Sequence, residues 1–152
     1  MVTAMTDFEA TGRCLCGAVV YRVTAPATRL EHCHCTYCRH AHGALYASGA
    51  LVDAAHFHID RGSEDLKAFT STPGNHRWFC AHCGCHIYMS VDDMPAEVYY
   101  WAASLDADMH PGHAPDREWH LFVGSKACWD RFDQTLPTHD AYADRPDPDD
   151  DR

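Results

Sequence analysis

The chain has 152 residues, 46% hydrophobic and 22% charged, which fits one folded domain and excludes wholesale disorder. Twelve basic residues against 22 acidic ones leave a formal charge of −10, which disfavours nucleic acid and anionic membrane surfaces as partners. The longest apolar run, Val98–Ala103, falls far below the roughly 20 residues of a membrane-spanning helix. Met1–Gly12 lacks the basic-then-apolar order of an export signal, so a cytoplasmic protein is expected.

In chain order, Ala18–Val23 is β-branched and aromatic without a breaker and reads as a strand. Short runs of the same kind follow at Phe57–Asp60, Leu66–Thr70, His76–Cys80, His86–Met89, Val98–Ala102 and Trp119–Val123, bounded by Gly, Pro, Asp or Ser. Pro73-Gly74 marks a turn between two of them. Arg39–Ala44 carries only a weak helical signal. Strands without long helical patterns between them predict antiparallel pairing in an all-β, or mostly β, domain. From Pro137 onward aspartate and proline dominate, which predicts a disordered acidic tail over 138–152.

The chemistry lies in the nine cysteines. Without an export signal, clustered cysteines point to metal ligation or catalysis rather than to a disulfide framework. Cys14 and Cys16 are one residue apart, Cys33, Cys35 and Cys38 form a C-x-C-x-x-C run, and Cys80 and Cys83 form C-x-x-C. Gly17 and Gly84 suit the tight turns that aim two sulfurs at one ion. With Cys85 and Cys128 set aside, the remaining thiols divide as four and three. A closed set of four describes a structural zinc; three ligands plus an open position describe a zinc that binds water or substrate. The natural partition joins Cys14, Cys16, Cys80 and Cys83 in the closed site and leaves Cys33, Cys35 and Cys38 on the open one. Alternatively Cys85, Cys128 or a histidine closes the second site and both ions are structural. His32, His34, His40 and His42 crowd the triplet, and for any one of them a surface position is the plainer reading. Cys85 and Cys128 read as inert packing residues.

Gly12-Arg13-Cys14-Leu15-Cys16-Gly17-Ala18-Val19, Cys33-His34-Cys35-Thr36-Tyr37-Cys38-Arg39 and Phe79-Cys80-Ala81-His82-Cys83-Gly84 resemble the three signatures of the glutathione-dependent formaldehyde-activating enzymes. That family includes S-(hydroxymethyl)glutathione synthases and the vertebrate centromere protein V relatives. Ser71-Thr72-Pro73-Gly74 with Arg77, Ala103-Ser104-Leu105-Asp106, His120–Val123, Lys126, Trp129 and Leu136-Pro137 follow as further landmarks in family order. A residue after Cys-Gly that is small and hydroxylated in the family is Cys85 here.

The resemblance implies a zinc-stapled β-tent of coiled antiparallel sheets, related to methionine sulfoxide reductase B. It divides the chain into an extension over 1–10, a zinc domain over 11–137 and the tail over 138–152. It also implies two zinc ions per chain: a structural one on Cys14, Cys16, Cys80 and Cys83, and a catalytic one on Cys33, Cys35 and Cys38. The implied activity is a carbon-sulfur lyase run in reverse, adding glutathione or a similar small thiol to formaldehyde or another small carbonyl. Arg39 and Arg77 are candidates for the carboxylates of such a thiol. A non-catalytic module with two structural zincs, and a thiol redox enzyme using Cys85 or Cys128, are the competing classes. The oligomeric state is not legible.

Overall fold

The computed structural model describes residues 7–132 and 134–143. It is mostly β, as expected, with ten strands in two sheets. The strands are β1 (Ala10–Arg13), β2 (Val20–Val23), β3 (Arg29–Cys33), β4 (Ala47–Asp53), β5 (Phe57–Arg61), β6 (Leu66–Thr72), β7 (Asn75–Cys80), β8 (His86–Val91), β9 (Glu97–Trp101) and β10 (Glu118–Leu121). The smaller sheet has the order β1-β2-β5 and the larger one β10-β3-β4-β9-β8-β7-β6.

Among the described residues every strand-to-strand pairing is antiparallel except one. β10 runs parallel to β3, with His120 opposite His32 and Leu121 opposite Cys33. The expected antiparallel pairing holds for the other strand pairs and gives way to a parallel one at this edge. Short hairpins force antiparallel neighbours, but β3 and β10 are far apart in sequence and nothing constrains their relative direction. Three strands escape the sequence pattern. β1 (ATGR), β3 (RLEHC) and β4 (ASGALVD) carry mostly small, charged and imidazole side chains, with no aromatic and only Thr11 and Val52 as β-branched residues. β4 is nonetheless central, and its small residues let large neighbours in. A Cβ on Gly49 would stand 3.3 Å from both Tyr99 and Trp101 on the adjoining β9.

The helix α1 spans Thr36–His42, three residues ahead of the expected start. Cys35 caps it by accepting a hydrogen bond from the Cys38 amide, a role sequence reading reserves for Ser, Thr, Asp or Asn. Gly43, at φ 55°, ends it in the left-handed conformation.

The main core lies between the two sheets, where Val19, Tyr21, Val23, Ala50, Val52, Ile87 and Tyr100 are buried. Alternation along the strands then sends the next residues to the other face of the large sheet. Arg29, Glu31 and Cys33 of β3, Ala47 and Gly49 of β4, Tyr99 and Trp101 of β9, Met89 and Val91 of β8, and Asn75 and Arg77 of β7 all line one cavity there. Five neighbouring strands thus make its floor.

Past Pro137 the chain still holds to the sheet edge, since the His139 amide donates to the His120 carbonyl and the Val123 amide to the His139 carbonyl. The remainder of the expected acidic tail, 144–152, lies outside the described residues, as do residues 1–6 of the expected N-terminal extension. No helix among the described residues is long and apolar enough to cross a membrane.

Candidate metal centres and cavity

Two cysteine sets come together with sulfurs within 4.8 Å of one another: Cys14, Cys16, Cys80 and Cys83, and Cys33, Cys35 and Cys38. This is the partition that spacing suggested. Both could hold a metal ion.

The set of four joins distant segments. Cys14 follows β1 and Cys80 ends β7, and both are buried. Cys16 and Cys83 sit on tight turns closed by the Gly17 amide on the Cys14 carbonyl and the Gly84 amide on the Cys80 carbonyl. Gly17 and Gly84 have φ of 79° and 75°, a region side chains with a Cβ rarely enter. The Val19 amide donates to Cys14 Sγ at 3.3 Å, and Cys16 Sγ lies 3.5 Å from Cys14 Sγ and 3.8 Å from Cys80 Sγ. An ion here would tie the end of the small sheet to the β7–β8 turn of the large one.

The set of three is local. Cys33 ends β3, Cys35 caps α1 and Cys38 lies in its first turn. Hydrogen bonds from Cys33 and then Cys38 pull the Cys35 thiol down to about 2, and the same contacts push Cys33 up. The Cys38 amide, 3.3 Å from Cys35 Sγ, adds to this pull. Trp101 and Met89 pack on the cysteines from the sheet side. The other side opens on the cavity, about 790 Å³ in volume. Among the described residues no fourth Cys, His, Asp or Glu joins the triplet.

The residues left aside in the sequence sort themselves by burial. Cys85 is half-buried against the main core, its thiol donates to the His86 carbonyl at 3.6 Å, and burial pushes it up from its ordinary value. That agrees with an inert residue. Cys128 does not pack as expected; it is exposed, on a loop beside the equally exposed Trp129. His40 is exposed, but the surface reading fails for His34, which is wholly buried, with Nε2 2.8 Å from His120 Nδ1. His32 is held between Ser48 Oγ and Glu118 Oε1, each at 2.8 Å. His42 lies tilted against His86 at 4.5 Å and edge-on to Trp101 at 4.4 Å, and burial pushes its ring down to about 3. None of these rings reaches the triplet as a ligand.

Of the two candidate arginines, Arg77 is buried and lines the cavity, while Arg39 does not. Sequence reading missed the aromatic wall, although Tyr99 and Trp101 alternate with the core residues Val98 and Tyr100 inside an expected strand. It also missed Arg29, which lines the cavity with Nε 2.8 Å from Glu31 and donates to the Tyr99 hydroxyl at 3.0 Å.

A mostly β chain carries a four-cysteine cluster and, on a cavity, a three-cysteine cluster, each of which could hold a metal ion on sulfur ligands. The profile of the family described as glutathione-dependent formaldehyde-activating enzyme matches residues 9–125, and the chain belongs to that family. It is 30% identical over 126 residues to a Halomonas elongata protein provisionally named a glutathione-dependent formaldehyde-activating enzyme, an alignment covering 78% of this chain and 77% of the relative. A crystal structure of a Rhodobacter sphaeroides protein shares the fold with a TM-score of 0.53 at 24% identity, over 66% of this chain and 91% of that one.

Proposed function

We propose that this protein is a zinc-dependent enzyme of the carbon-sulfur lyase type that adds a small thiol, glutathione or one like it, to formaldehyde or another small carbonyl. The observation that carries this reading is the triplet Cys33, Cys35 and Cys38, which has no fourth protein ligand among the described residues and opens on a cavity of about 790 Å³. Sulfur-only donors in a compact group suit zinc, and an all-thiolate site favours a further sulfur over a hard oxygen. Bound there, zinc would supply a soft Lewis acid that makes a thiol nucleophilic near neutral pH.

The chain's own residues do the rest. The β3 end and the cap of α1 fix the three sulfurs before substrate arrives, so that little reorganisation accompanies reaction. Trp101 and Met89 pack against the cysteines and give that part of the cavity an apolar wall. Arg77 Nη2 donates to Cys38 Sγ at 3.6 Å and offsets negative charge on the ligand sulfurs. In the reaction a sulfur–carbon bond forms, the carbonyl π bond breaks, and the thiol proton ends on the carbonyl oxygen. The second cluster, Cys14, Cys16, Cys80 and Cys83, would hold a structural zinc, in keeping with its four ligands and its joining of separate segments.

The test is metal content of the purified protein with and without glutathione, together with adduct formation from glutathione and formaldehyde followed by NMR. Two zinc ions falling to one in Cys35→Ser, with loss of adduct formation above the uncatalysed rate, is the expected result. Undiminished turnover by Cys35→Ser would sink the proposal.

A further inference from the structure

Tyr37, in the first turn of α1, is 58% exposed, and Phe69, in the middle of β6, is 64% exposed. Both line one groove of about 690 Å³, which α1 borders with Tyr37, His40 and Ala41 and the large sheet with Phe69 and Phe79. Phe69 stands opposite Arg77 across the β6–β7 pair and Phe79 lies diagonal to it, so the two rings share a face. Among the described residues no carboxylate lines the groove, and its one arginine, Arg77, is engaged with Ser71 and Cys38. The groove therefore offers apolar contact and no free charge.

β6 is an edge strand of the large sheet. An exposed ring on a sheet edge is a liability for aggregation, and an apolar patch of this kind marks a ligand groove or a partner contact. The surroundings favour a ligand. Thr36, Tyr37, Ser71 and Arg77 border both the groove and the cavity that holds Cys33, Cys35 and Cys38, so the two spaces are continuous. The cavity, at about 790 Å³, already matches the size that seats a whole small-molecule ligand, and the groove is room beyond it. Formaldehyde has no carbon beyond its carbonyl to lay there.

We propose that the groove takes the apolar body of the carbonyl substrate, which makes aldehydes with an alkyl or aryl group the preferred partners of the thiol. This rests on the thiol-addition reading and extends its carbonyl beyond formaldehyde. The carbonyl carbon stays on the cavity side, within reach of a thiol at the triplet, and the alkyl or aryl group passes Ser71 and Tyr37 onto Phe69 and Phe79. The sulfur–carbon bond forms, the carbonyl π bond breaks and the thiol proton ends on the oxygen, so that the product is a hemithioacetal. Burial of the group against aromatic walls supplies the preference, and no charge or hydrogen bond is required of it.

The experiment uses S-hexylglutathione and S-methylglutathione, unreactive thioethers that place a long apolar body or almost none on the sulfur, each titrated calorimetrically into the metal-loaded full chain. The wild type should bind the hexyl compound at least tenfold more tightly. Phe69→Ala, at an exposed position where truncation leaves no hole, should bring the two within about threefold. Phe69→Leu keeps an apolar wall and should keep most of the preference. Glutathione and hexanal should form their hemithioacetal above the uncatalysed rate in exchange NMR, and the enhancement should fall about fivefold in Phe69→Ala. Equal binding of the two thioethers by the wild type, or no binding of either, overturns the assignment. So does an equal loss of both in Phe69→Ala, which gives the groove to the thiol itself, and so does a wild-type dimer without hexyl preference that Phe69→Ala dissociates, which gives it to a second copy. Hexyl preference through Phe69 without turnover of hexanal or formaldehyde would uphold the groove and overturn the reaction.

Discussion

His34 Nδ1 and Asp130 Oδ2 stand 3.2 Å apart in a site where the two side chains are 0% and 1% exposed. His34 separates two cysteines of the triplet, and Asp130 belongs to the loop after β10. The His34 amide also donates to the Leu121 carbonyl of β10, and the Phe132 ring packs tilted against the His34 ring at 4.6 Å. The segment that carries Cys33 and Cys35 is therefore pinned from behind by the C-terminal part of the chain. Burial lowers the affinity of His34 for a proton, so the contact joins a neutral ring to the acid.

Asp130→Ala removes the buried acid that faces the His34 ring and leaves a hole behind the triplet, while the ring keeps its contact to His120. It is expected to cost about 2 kcal/mol, within the range for truncating a buried side chain. In a chain of this length that lowers the thermal midpoint by about 4–8 °C. Differential scanning calorimetry decides it; a midpoint within a degree of wild type means the pin carries no load.

What could be read in the sequence follows what spacing encodes. Short cysteine intervals translate directly into turn geometry, so the two sulfur sets and the glycines behind Cys16 and Cys83 were legible. Strands with aromatic and β-branched residues, such as β7 and β9, were legible too. β3 and β4 were not, because their strand state is imposed by neighbours. Gly49 and Ala50 are there to admit Trp101 and Tyr100, a reason that exists only once β9 is beside them. The depth of His34 and Arg77 was hidden likewise, since a polar residue beside a motif reads as exposed until its buried partners, Asp130 and Cys38, are brought in from afar.

The two cysteine sets should respond differently to the same substitution. Cys16 is exposed, so Cys16→Ser removes a ligand without leaving a hole. With the structural zinc proposed for this set, the change should nevertheless abolish the cooperative melt, because such an ion supplies folding free energy of about 10 kcal/mol or more. Cys35→Ser, in the local set, should keep a cooperative melt within a few degrees of wild type while losing one metal. Circular dichroism melts with parallel metal analysis check both. Equal damage from the two changes would contradict the division into a staple and an open site.

Gly49→Val tests the close approach of β9. The first added carbon would already crowd Tyr99 and Trp101 at 3.3 Å, and two further methyls have to displace one of them. Overpacking of this kind costs about 1–3 kcal/mol. Because Trp101 lies against Cys38, the change should also quench or shift tryptophan fluorescence and weaken ligand binding in the cavity. An unchanged emission spectrum and melt would show that the sheet yields without strain.

His120 gives the stability a pH dependence of defined sign. Its ring, 4% exposed, is pushed down from 6.5 to about 4, by burial first and then by the neighbouring His32 and His34 rings. Between those values the unfolded chain binds a proton that the folded one refuses. Stability from this group is therefore lost as pH falls from about 6.5 towards 4 and is fully present above 6.5. The ligand thiols also gain protons in acid, but they do so in wild type and variant alike. The expected result is a midpoint that rises less between pH 4.5 and 6.5 in His120→Gln than in wild type, with the two curves parallel above pH 7. Identical slopes across the acid range would mean that His120 takes up its proton in the folded protein as readily as in the unfolded one.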